Sequence, residues 1–168
     1  NPIVNYYLGY ISDIKGNKEE SAAYFKKGSD LSVDYVFPFR LETVDILKKV
    51  TAYFPDDARP WYYLGNLLYD KQPGKAIEAW ENCVRLDPSL AIAHRNLGWG
   101  YYHHLGDGLR AIPEYEKAMA IKKDDALYYE ELDALYEMSN APVEKRLALF
   151  EGQNETVSAR ANALARQI

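Results

Sequence analysis

The pair Leu-Gly recurs along the chain, and the segments that follow it recur with it, which restricts the fold more than any other feature of the sequence. It stands at Leu8-Gly9 in "NYYLGYISDIKGN", at Leu64-Gly65 in "PWYYLGNLLYDKQ" and at Leu97-Gly98 in "AHRNLGWGYYHHLGD". A fourth version, "YYEELDALYEMSN", has Leu132 followed by Asp133. A turn-forming cluster follows each, and then an apolar-periodic segment: "EESAAYFKKGSDL", "GKAIEAWENCVRLDP", "LRAIPEYEKAMAI" and "VEKRLALFEG". The second segments share a small residue, an aromatic four positions on and a small residue three later, as in Ala76, Trp80, Cys83 and in Ala111, Tyr115, Ala118. Spacings of four and three stack side chains on one face of a helix. Each unit therefore reads as two helices joined by a turn, and "LDPS" at 86–89 is a helix stop, because proline cannot continue a helix.

The Leu-Gly positions are 33 residues apart from Leu64 to Leu97 and 35 from Leu97 to Leu132. From Leu8 to Leu64 the interval is 56, one repeat plus 22 residues. The surplus contains "PFRLETVDILKKVTAYFP", an amphipathic helix ending at Pro55 whose apolar set is Leu41, Val44, Leu47, Val50 and Tyr53. The expected organisation is one segment, 1–168, with units at about 3–32, 57–88, 90–123 and 125–151, an extra helix at about 38–54 and a partial unit at 155–168.

These motifs resemble the tetratricopeptide repeat, a helix-turn-helix unit of about 34 residues. The resemblance implies an all-α, right-handed α-solenoid whose first helices line a concave groove. The extra helix departs from that pattern and is expected to stand in for a missing repeat half. Smaller departures are a turn one residue short in the Leu64 unit and one residue long in the Leu97 unit, and Lys123 where a closing proline would stand. Pro113 falls inside the first turns of a second helix, which is expected to start late or bend. "YYLGNLLYDK", "RNLG…YYHHLGD" and "ELDALYEMSNAPVEKRLALFE" look in addition like the repeat region of certain large bacterial proteins. In those a β-sandwich region of unknown function precedes the repeats, and the resemblance covers roughly residues 33 to 168.

Several function classes are excluded by composition. With net charge −5 and both signs interspersed, the chain lacks the basic face that phosphate neutralisation needs. No apolar run approaches the roughly 18 residues that span a bilayer. A single cysteine, Cys83, permits neither an internal disulfide framework nor a cysteine-rich zinc site. The chain opens on Asn1-Pro2 with no signal peptide, and is read as a segment excised from something longer, with exposed apolar surface at its cut ends. The compartment is left open, with the cytoplasm favoured over the periplasm. The fifteen tyrosines, against five phenylalanines, suit half-buried surfaces and a molecule with much interface.

"RNLGWGYYHHLGDGLRAI", residues 95–112, has the look of an active site. On a helix at about 100° per residue, however, His94, Leu97, Gly98 and Tyr101 share a packing face. Ile92, Arg95, Trp99, Tyr102 and His103 lie roughly opposite. Adjacent histidines then diverge, no carboxylate sits at matching spacing, and a metal site is not expected. Gly98-x-Gly100 lacks the third glycine and the preceding strand of a dinucleotide site. Cys83 occupies a small packing position, Glu130 and Glu131 read as a solvated face, and Asn154-Glu-Thr156 is a glycosylation sequon with little information content. The chain is read as non-enzymatic and without a cofactor.

The same angular rule, with the groove that the resemblance implies, selects candidates in each first helix. They are Tyr6, Tyr7, Tyr10 and Asp13; then Arg59, Tyr62, Tyr63, Asn66, Tyr69 and Asp70; then Arg95, Asn96, Trp99, Tyr102 and His103; then Glu130, Glu131, Ala134, Glu137 and Met138. The expected ligand groove is Tyr62, Tyr63, Asn66, Tyr69, Arg95, Asn96, Trp99, Tyr102 and His103. Some members of the family hold a peptide's C-terminal carboxylates in a clamp; Asn66 and Asn96 match two of its positions, but Tyr62, Leu127 and Glu131 replace its basic ones. The expected function is therefore a scaffold that binds a peptide or protein segment, or another domain of its own chain, without nucleic acid or membrane. Association through the solenoid ends is a further expectation. Two alternatives are a carbohydrate-binding accessory module, with the aromatic strip stacked on sugar rings, and a structural spacer whose tyrosines only pack between helices.

Overall fold

The computed structural model describes residues 1–151; the partial unit expected at 155–168 and the sequon at Asn154 lie outside them. The described residues form α1 (Pro2–Ile14), α2 (Lys18–Ser29), α3 (Thr43–Tyr53), α4 (Ala58–Leu68), α5 (Pro73–Leu86), α6 (Ala91–Leu105), α7 (Gly108–Ile121), α8 (Ala126–Met138) and α9 (Val143–Ala148), with no strand among them. They divide into two compact units, one of Asn1–Pro88 and one that begins at Ser89. In the first, α1/α2 and α4/α5 are hairpins, and α3 packs against both α1 and α4. In the second, α6/α7 is a hairpin, α8 packs on α7, and α9 follows α8.

Side-chain caps set the starts of four helices. The Asn1 side chain accepts from the Ile3 amide at 2.9 Å, and Pro2 occupies the first turn, where its missing N–H costs nothing. Asp57, Asp107 and Asp125 cap α4, α7 and α8 in the same way. Gly106, at φ 65°, ends α6 in the left-handed conformation that glycine adopts without strain. The Asp107 cap also explains why α7 does not start late. It runs unbroken from Gly108 through Pro113, whose ring removes a single hydrogen bond from an otherwise anchored helix.

In three hairpins an aromatic ring of the second helix lies on the glycine of the Leu-Gly pair. A Cβ built on Gly9 would stand 2.4 Å from the Phe25 ring, one on Gly65 2.3 Å from Trp80, and one on Gly98 2.6 Å from Tyr115. The small residues flanking each ring are buried with it: Ser21 and Gly28, Ala76 and Cys83, Ala111 and Ala118. Close approach of the two backbones is thus set by a missing methyl group on one side and a flat ring on the other. In the fourth hairpin Asp133 replaces the glycine, and an ion pair replaces the ring. Arg146 of α9 meets both Asp133 oxygens, at 2.7 and 2.9 Å.

The inserted helix is shorter than its apolar pattern suggests, beginning at Thr43 rather than near residue 38. Pro38 disfavours the helical conformation for the residue before it, and Leu41 remains outside the helix, exposed. The buried stripe is Thr43, Ile46, Leu47 and Val50. Asp13 of α1 fastens this helix in place. Its carboxylate takes Lys18 at 2.5 Å, Lys49 at 3.0 Å and the Tyr53 hydroxyl, joining α1, the start of α2, and α3. Tyr7 adds a hydroxyl contact to Thr43 at 2.9 Å. Hydrogen bonds from Lys18, then Tyr53 and Lys49, hold the Asp13 carboxyl far below the usual carboxylate range.

Two predictions follow from these joints. Gly98→Ala and Gly65→Ala gain helix propensity of about 1 kcal/mol but force a methyl into a rigid ring, an overpacking cost of about 1–3 kcal/mol. Thermal denaturation is expected to show a lower Tm for both, while Gly74→Ala, which meets nothing within 4 Å, leaves Tm unchanged or raised. The Asp13 group stabilises the fold above its unfolded pKa of about 3.9. Because its folded value is depressed, that stabilisation is lost as pH falls from there toward the folded value. Between roughly pH 4 and pH 2 the wild-type Tm should fall more steeply than that of Asp13→Asn; parallel curves would refute the assignment.

Candidate functional site

The face of α6 opposite its packing side carries Arg95, Trp99 and His103 one turn apart, with Tyr102 beside them. Spacing of four brings the three into a stack. The Arg95 guanidinium lies 4.9 Å from the Trp99 ring centre, and the His103 ring 3.8 Å from it at an interplanar angle of 36°. Tyr102 meets His103 edge-on at 5.0 Å. Trp99 and Tyr102 are half-buried and His103 is exposed.

The neighbouring first helix, α8, completes this face. Arg95 grips Glu131 with two parallel N–H···O bonds, Nε to Oε2 at 2.8 Å and Nη2 to Oε1. Its Nη1 donates to the Asn96 side-chain carbonyl at 3.3 Å. Burial works against the Arg95 charge, but the bonds to Glu131 outweigh it and hold the guanidinium more firmly protonated than usual. About two helical turns further on, the Tyr102 hydroxyl reaches the Met138 thioether at 3.1 Å. Both contacts join residues 36 apart, one more than the 35 that separates Leu97 from Leu132. That offset is the sequence signal by which Glu131 could have been paired with Arg95 instead of being read as solvated.

His94 is on the opposite, interior side of α6. It is buried, and its Nδ1 lies 2.6 Å from a Glu114 oxygen, while Lys117 holds the other oxygen at 2.6 Å. Burial alone would raise the Glu114 carboxyl; the bonds to His94 and Lys117 prevail and keep it below its ordinary range.

The expected candidates of the first unit are engaged differently. Tyr62 and Tyr63 are buried rather than groove-lining. Tyr63 stands edge-on to Tyr6 at 6.2 Å, its hydroxyl has no hydrogen-bond partner among the described residues, and burial drives its pKa upward. Tyr6 and Asp13 are interior as well. Tyr6 of α1 closes on Tyr63 of α4, and α3 packs on both of these helices. Asn66 accepts the Trp80 indole N–H at 3.1 Å, and Tyr69 lies against the same indole at 5.3 Å. Both are half-buried supports of the Gly65 contact.

Cys83 is buried, and burial pushes its thiol up to about 12, the behaviour of a packing residue. Among the described residues no group of three or more His, Cys, Asp or Glu side chains converges to hold a metal ion, and no helix is long and apolar enough to cross a membrane.

No protein-family model matches the chain. Solved structures do. A crystal structure of MamA protein is 21% identical over 96% of this chain and 94% of that one, with a TM-score of 0.62. MamA from Desulfovibrio magneticus is 18% identical over 99% and 97%, with a TM-score of 0.56. The first TPR of Spaghetti (RPAP3), bound to the HSP90 peptide SRMEEVD, is 14% identical over 83% and 94%, also at 0.56. The fold is of the tetratricopeptide-repeat type. Identities this low establish the fold alone.

A double-mutant cycle tests the α6–α8 joint. With side-chain exposures of 23% for Arg95 and 16% for Glu131, the pair is neither fully screened nor fully dry. Arg95→Ala and Glu131→Ala, measured singly and together by urea denaturation, should couple by about 1–2 kcal/mol. Additive effects would show that the pair contributes nothing to holding the two helices.

Proposed function

We propose that the chain is a protein-interaction module and that recognition is centred on the α6 face of the second unit, with Arg95, Trp99, Tyr102 and His103 as its anchors. The observation that supports this most is the stack itself. Arginine, tryptophan and tyrosine are the side chains most enriched at binding hot spots, and here they are pre-ordered by one another before any partner arrives. Asn96, held by Arg95, contributes an amide at the edge of the same patch. The peptide-bound TPR of Spaghetti (RPAP3) is a precedent for this use of the fold.

The partner is a peptide or protein segment, supplied by another protein or by another domain of a longer chain; the β-sandwich region that accompanies similar bacterial repeats is one such domain. A terminal-carboxylate clamp has little support, because Arg95 is already satisfied by Glu131. Asn66, the second amide of that clamp, is turned to Trp80. The sugar-stacking alternative draws less support than the peptide reading, since Arg95 and His103 both lie against the indole that a pyranose ring would need. Of the nine expected groove residues, Tyr62, Tyr63, Asn66 and Tyr69 act as supports of the first unit in this reading, and the other five carry recognition.

Affinity capture from a native-host lysate tests it, with the chain and its Trp99→Ala variant as baits. Proteins retained by the first should fall at least about tenfold on the second, with helicity unchanged and Tm within about 4 °C. Equal backgrounds from both baits, together with a Tm loss above about 10 °C, would instead mark the tryptophan as packing and the array as a spacer.

A further inference from the structure

Two contacts bridge the recognition face of α6 to α8, Arg95 to Glu131 and Tyr102 to Met138. They have the same offset of 36 and the same sense, so the two helices run parallel along this stretch. The bridges are seven residues apart on each helix, about 10 Å of helix length. Between them α6 presents the Trp99 indole. On the same stretch α8 presents Ala134, which is exposed, while its neighbour Leu135 is turned inside. The other side chains of this row are long: Arg95, Trp99, Tyr102, Glu131 and Met138. A single methyl group among them leaves a notch, walled by the indole and closed at each end by a bridge.

The chemistry of its walls decides what the notch takes. Arg95 is the one lysine or arginine on α6 and α8, and both Glu131 oxygens meet its charge. An incoming carboxylate would have to displace Glu131 to gain a partner. An incoming ammonium or guanidinium would compete with Arg95 for Glu131 and for the indole, whose centre Arg95 already approaches at 4.9 Å. The far end is the Met138 thioether, uncharged and adaptable in shape, on a side chain 62% exposed. Neither end rewards a charge, and burying one unpaired is costly. An apolar side chain needs no partner. It gains by leaving water for the indole, the Ala134 methyl and the thioether.

We propose that this notch receives one large apolar side chain of the partner segment, and that the smallness of Ala134 sets the specificity of the face. The inference rests on the recognition reading above and adds the class of ligand to it. That ligand is a peptide segment anchored by a residue such as leucine, methionine or phenylalanine, rather than by an acidic terminus. Arg95, Trp99 and His103 then form a wall that is ordered before the anchor enters, which lowers the cost of binding.

Random peptides displayed on phage and selected on the full chain supply the probe. Those whose binding falls at least about tenfold on Trp99→Ala are synthesised and titrated by calorimetry. They are expected to share a large apolar residue and no acidic consensus, and replacing that residue by alanine should weaken binding at least about tenfold. Ala134→Gln, which fills the notch from an exposed helical position, should do the same. Ala134→Ser, which keeps the notch open, should stay within about threefold of the unmodified chain. Circular dichroism checks that both variants retain their helicity. Trp99-dependent peptides that bind through carboxylates, or that bind Ala134→Gln as tightly as the unmodified chain, overturn the notch and leave the face as a recognition site. A library that yields no Trp99-dependent peptide overturns the recognition reading and the notch together.

Discussion

A helical hairpin holds together when its two backbones come close enough for side chains from each to interdigitate, and in this protein the approach is governed by a ring lying on a glycine. Phe25 on Gly9, Trp80 on Gly65 and Tyr115 on Gly98 leave no room for even a methyl group. The remaining core positions of each hairpin are arranged around that contact, and so are the faces turned outward. Once Gly98 is pressed to Tyr115, His94, Leu97 and Tyr101 are carried inside. Arg95, Trp99 and His103 are then left to stack on the far side. The candidate interaction face is thus a geometrical by-product of a packing decision made half a turn away.

Hairpin structure was legible because it rests on local periodicity. Leu-Gly and the small-aromatic-small pattern each state a helical face within a few residues, and the buried set Ala76, Trp80, Cys83 and Ala111, Tyr115, Ala118 is the one the spacing selects. What escaped was set by contacts between elements distant in sequence. The angular rule assumes that nothing covers the outer stripe of a first helix, yet α3 packs on α1 and α4. Tyr62 and Tyr63, which the rule turned toward a ligand, are interior, Tyr63 against Tyr6 of α1. Asp13, read as a groove residue, is the anchor of the inserted helix through Lys18, Lys49 and Tyr53. In α8 and α9 the missing glycine was visible in the sequence, but not that Arg146 would answer Asp133.

Polar contacts substitute for packing wherever the repeat is imperfect. The Asp133–Arg146 pair takes over where there is no glycine, and the Asp13 cluster fixes a helix that has no hairpin mate. A ring on a glycine tolerates no variation in either partner. A carboxylate with several cations is more permissive, because hydrogen bonds can be remade over a range of side-chain positions. The Asp13 cluster therefore gives the inserted helix a stability that responds to acid, whereas the contacts of ring on glycine respond to volume.

The turns between helices differ in length, yet the contact they close does not. Gly65 and Trp80 are 15 residues apart, Gly9 and Phe25 16, Gly98 and Tyr115 17. A residue gained or lost in the turn is absorbed there, leaving the two anchors face to face. Such a molecule can drift in sequence by slipping its loops while its hairpins keep their form. A pattern of fixed length loses its place after each slip and must find it again at the next anchor. Chains of this construction can therefore diverge until their kinship survives in shape and is nearly erased from the order of their residues.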